Sequence, residues 1–95
     1  MNEEAILKIG DYIQTNLTEP EEGWSNVYIQ RRSYEIWAAD EILMRVFEHP
    51  DTLPEIVVED FLIRMQYFAK IANTERAKVT FVIAANIAEE ILEML

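Results

Sequence analysis

The chain has no cysteine and a single histidine. The first absence excludes disulfides, thiolate metal sites and a cysteine nucleophile together. The second leaves general acid-base chemistry with one imidazole, His49, and that residue stands beside Pro50 with no partner implied. A base in the last turn of a helix is favoured by the helix dipole, and this is the simpler reading of His49. Glycine and proline are also scarce, at two and three residues, while 51% of the chain is apolar, a globular composition well away from a disordered one. No Gly-rich phosphate loop, nucleophile elbow or Cys/His cluster occurs. No apolar run reaches the roughly 18 residues of a membrane span, and the N-terminal stretch carries acids where a secretory signal carries bases. A cytoplasmic protein with no membrane partner is the expectation.

Bases are the other shortage. Eight Lys and Arg stand against eighteen Asp and Glu, for a formal charge of −10. The excess sits at the two ends, residues 1–24 and 79–95, and the middle is nearly balanced. Direct binding of nucleic acid or of an anionic surface needs clustered cations, so neither is expected.

What is present is helical periodicity. The run Val79 to Leu95 repeats apolar residues at i, i+3, i+4 and i+7, with Glu89, Glu90 and Glu93 confined to its end. Its first half is apolar or small almost all round, as in a helix covered by several neighbours or by a second copy of the chain. Upstream, Ile6, Ile9, Ile13 and Leu17 line a first helix with Asn2 as its cap and Gly10 in its interior, where glycine either weakens the helix or marks a close crossing. The stretch Thr18 to Gly23 is dense in acids and turn residues and reads as a loop. A long helix follows, capped by Ser25 or restarted at Ser33, and ends before Pro50. Thr52, Pro54 and Glu55 form a capping-box signature for the next helix. That helix carries two apolar faces, one through Phe61, Met65 and Phe68 and a second through Ile56, Ile63, Tyr67 and Ile71, which suggests two neighbours. Asn73 and Thr74 turn the chain into the last helix. The spacing therefore predicts an all-α, single-domain protein over residues 1–95. Its architecture is a four-helix bundle with helices near 2–17, 25–48, 53–72 and 75–94 and antiparallel neighbours.

No constellation points to catalysis. A di-metal carboxylate bundle needs Glu-x-x-His pairs, which are absent, and the same-face acids Glu55 with Glu59, and Glu89 or Glu90 with Glu93, read as solvated surface. No enzyme activity, metal or cofactor is expected. Trp24, Tyr28, Tyr34 and Trp37 cluster around Arg31 and Arg32, in residue types enriched at binding hot spots. Their simpler reading is Trp37 in the core and the arginines tethered to Glu35 and the acidic loop. The expectation is a protein-protein interaction module that forms a homodimer through Phe81, Val82, Ile83 and Ala85 of the last helix. A further partner protein would be contacted by Glu19, Glu21, Glu22, Trp24 and Arg31. The alternative is an acidic inhibitor, or nucleic-acid mimic, that occupies the basic groove of a nucleic-acid-binding protein.

Overall fold

The computed structural model describes residues 2–95. It contains four helices, α1 (Glu3–Asn16), α2 (Asn26–Glu48), α3 (Pro54–Ile71) and α4 (Glu75–Met94), and no strand among those residues. Each boundary falls within a residue of the periodicity reading, and α2 runs through Ser33 without a break. The chain is an all-α four-helix bundle. Its helices pack most extensively as α4 against α3, then α4 against α2.

The core follows from the stripe each helix buries. Ala5, Ile9 and Tyr12 come from α1, and Ala38, Ala39, Ile42 and Val46 from α2. Val57, Val58, Phe61 and Met65 come from α3, and Ala84, Ala85, Ile87, Ala88 and Ile91 from α4. The alanines give α2 and α4 small side chains on their buried stripes. The cross-section is not square. Its principal extents are 40 × 34 × 20 Å, so the molecule is a plate about two helix diameters thick. Its radius of gyration, 13.6 Å, exceeds the about 12 Å expected of a compact globule of this length.

The helix starts differ in detail from the sequence signals. Thr74 caps α4, its Oγ1 accepting from the Ala77 amide at 3.1 Å. Thr52 does not cap α3, which begins after Leu53 with Pro54 in its first turn. The backbone explains why: the Thr52 amide closes a turn onto the His49 carbonyl at 3.2 Å, and its own carbonyl accepts from Asn2 at 3.2 Å. Asn2 precedes α1 with non-extended torsions and no capping bond. Its side-chain amide instead donates to the carbonyls of Val46, His49 and Thr52, and Asn2 is the buried polar residue of the core. Gly10 marks no close crossing, since a Cβ placed there would meet nothing within 4 Å.

Glutamate or aspartate one turn before arginine forms an ion pair on two helices, Arg64 to Asp60 at 2.8 Å and Arg45 to Glu41 at 3.8 Å. The first is exposed and contributes a few tenths of a kcal/mol, about what such pairs give on helix surfaces, whereas the second is more than half-buried, its guanidinium 5.2 Å from the Phe61 ring centroid.

Candidate interaction surfaces

The aromatic and arginine cluster forms a cleft of about 570 Å³ where the acidic loop joins α2, lined by Gly23, Trp24, Ser25, Tyr28, Arg31, Arg32 and Glu35. Gly23 has φ of +98°, a conformation that needs glycine, and it turns the loop so that Trp24 returns to the helix. Arg32 then fixes the cleft wall. Its Nε donates to Glu35 at 2.9 Å, its Nη1 to the Thr18 carbonyl at 2.7 Å, and its guanidinium lies 5.2 Å from the Trp24 ring centroid. The arginines are thus tethered to Glu35 and the loop, Arg31 more loosely at 3.8 Å. Behind the cleft, the Tyr12 hydroxyl donates to Glu90. Burial first, then the hydrogen bond and charge of Glu90, push the phenol pKa well above its ordinary value.

The expected contact residues separate. Trp24 and Arg31 meet in the cleft, while Glu19, Glu21 and Glu22 lie exposed on the loop, outside the cleft lining. Trp37 does not belong to the core. It is 42% exposed because the buried stripe of α2 runs through Ala38 and Ile42, which turns the preceding side chain away.

The residues expected to pair across a dimer are likewise divided. Ile83 and Ala85 are 9% and 6% exposed, enclosed by the chain's own helices, so these two have little surface to offer a second copy. Phe81 is half-buried and packs on Phe68, ring centroids 5.4 Å apart. Val82 alone of the four is open, at 42%. It belongs to a groove of about 450 Å³ between α2 and α4, with Val27, Val79 and Ile83 as apolar lining and Gln30, Arg31, Tyr34, Glu75, Lys78 and Asn86 among its polar rim. At its rim Arg76 Nε donates to the Tyr34 hydroxyl at 3.2 Å, a bond that favours the phenolate and lowers the Tyr34 pKa.

The larger apolar surface lies on α3. Ile56, Ile63, Tyr67 and Ile71, read from the sequence as facing a second neighbour, are each 54–58% exposed, with Leu53 and Phe68 alongside. Periodicity counted the faces correctly but could not say that only one would be covered. α3 packs on α4 and, less extensively, on α2, and neither contact covers this face. Among the described residues no group of three or more acids or histidines is placed to hold a metal ion, and no helix is long and apolar enough to cross a membrane.

Comparison with protein-family models, with curated proteins and with solved structures gives no match.

Proposed function

We propose that the protein is a self-associating helical interaction module and that its dimer forms through the outer face of α3. The observation that carries this reading is the uncovered stripe Ile56, Ile63, Tyr67 and Ile71. Large contiguous apolar patches are uncommon on monomers and mark sites of association. A second copy of the chain suits the stripe because α3 is polarised. Glu55, Glu59 and Asp60 occupy its first half, Arg64 and Lys70 its second. Two copies packed antiparallel about a twofold axis beside Ile63 set acids along bases and the Ile56 end along the Ile71 end. Parallel packing would align like charges in a molecule already at −10. A stable dimer buries about 800 Å² per partner, roughly an eighth of this chain's 6468 Å². The acidic-inhibitor alternative has only the net charge behind it, because Glu19, Glu21 and Glu22 form no fixed array.

Sedimentation equilibrium of the wild type, Ile63→Glu and Val82→Glu tests the reading. The wild type and Val82→Glu sediment as dimers, and Ile63→Glu as a folded monomer by circular dichroism. A wild type that stays monomeric at all accessible concentrations removes self-association. Dissociation by Val82→Glu alone would return the interface to α4.

A further inference from the structure

Five of the eight basic residues hold a carboxylate within 4 Å on their own helix: Lys8, Arg31, Arg32, Arg45 and Arg64. Among the described residues Lys70, Arg76 and Lys78 hold none, and Arg76 is bonded instead to the neutral hydroxyl of Tyr34 at 3.2 Å. Two of them, Arg76 and Lys78, lie in the first turn of α4, where the helix dipole disfavours positive charge. The same helix ends in Glu89, Glu90 and Glu93, where the dipole disfavours negative charge. Apart from Glu75 in the first turn, the charges of α4 stand in the order opposite to the one that stabilises a helix, and neither an ion pair nor the dipole accounts for Arg76 and Lys78. Both flank the groove between α2 and α4, in which Val27, Val79 and Val82 are exposed and Ile83 closes the floor. Glu75 is the one carboxylate on the groove lining, and it precedes both bases.

We propose that this groove binds an acidic amphipathic helix from a partner protein. The partner's apolar face covers Val27, Val79 and Val82, and its carboxylates meet Arg76, Lys78 and the loosely held Arg31. Helix-in-groove recognition has these two parts, an apolar trough that supplies contact area and flanking charges that fix the partner's orientation. Charge complementarity selects the occupant: a basic helix would set its cations against Arg31, Arg76 and Lys78. The chain's own acidic amphipathic segment, the end of α4, cannot serve, because its Ala88 and Ile91 are inside the core of the same molecule. The site lies on a different face from the α3 stripe and does not depend on dimer formation.

The test uses a synthetic peptide of about 18 residues, long enough to hold some helix alone, with leucines at i, i+3, i+4 and i+7 and glutamates flanking them. A second peptide replaces every glutamate by lysine. Binding to the full-length protein is followed by fluorescence anisotropy and by amide chemical shifts. The acidic peptide is expected to bind at least about tenfold more tightly than the basic one, with shifts centred on Val27, Gln30, Tyr34, Val79 and Asn86. The double variant Arg76→Glu, Lys78→Glu, and separately Lys78→Ala as a milder change at an exposed position, should weaken it, the double variant by about tenfold or more. Equal affinity for the two peptides, unchanged binding by both variants, or shifts that map to Ile63 and Tyr67 would each overturn the proposal.

Discussion

The side-chain amide of Asn2 donates to the carbonyl of Val46 at 3.3 Å, across 44 residues of sequence. The same nitrogen reaches the carbonyls of His49 at 3.1 Å and Thr52 at 3.2 Å. The last turn of α2 leaves carbonyls without intrahelical donors, and here the start of the chain supplies one. Asn2 thereby fastens α1 to the turn between α2 and α3.

Asn2→Ala leaves these buried carbonyls short of a donor and is expected to lower stability by about 1–3 kcal/mol. Asn2→Asp should be worse, since a carboxylate would face carbonyl oxygens. Urea midpoints of the two variants beside wild type check both the loss and its order.

Tyr12 and Glu90 give a prediction with a pH sign. The phenol pKa is raised from its ordinary value of 10.0, so the folded state holds the proton more tightly than the unfolded chain. The contribution is complete below pH 10 and is lost as pH rises past 10 towards the folded value. Tyr12→Phe should cost about 1 kcal/mol near neutrality, the size of one hydrogen bond with an exposed acceptor, and should flatten the alkaline fall in melting temperature above pH 10. An alkaline limb as steep as that of wild type would assign the fall to other groups.

Gly10 lies in the interior of α1 with open space where a Cβ would stand and without a positive φ. Gly10→Ala is therefore expected to stabilise the protein by about 0.5–1 kcal/mol through helix propensity and a less free unfolded chain. Thermal unfolding measures it, and a lower midpoint would mean that the position is closer packed than its surroundings allow.

The helices were legible because each carries a long apolar period punctuated by unambiguous breaks, at Gly23, at Pro50 and at Asn73 with Thr74. Local pairs followed too, since Glu41 with Arg45 and Asp60 with Arg64 need only helical geometry. What the sequence could not convey is which of several apolar faces meets another helix. Ile83 and Val82 are neighbours of equal hydrophobicity, yet one floors a groove and the other is open to solvent. Trp37 was expected inside and is turned outward by one residue of helical phase. Asn2 looked like a cap, and its bonds to three distant carbonyls depend on tertiary placement that no local signature records. Arg76 and Lys78 are legible as exceptions in the sequence itself, because they stand at the start of a helix whose acids, Glu75 apart, gather at its end.

The 20 Å thickness of the plate bears on how it opens. Within it α4 is clasped on two sides by α2 and α3, whereas α1 rests mainly on α2 and is tied elsewhere by Asn2, Tyr12 and Leu17. Amide hydrogens should accordingly exchange in order of position, slowest at Ala84 to Ala88 in the middle of α4 and fastest along α1. The plate would then come apart from one edge, exposing Ile9 and Ile42 to water while α3 and α4 stay joined.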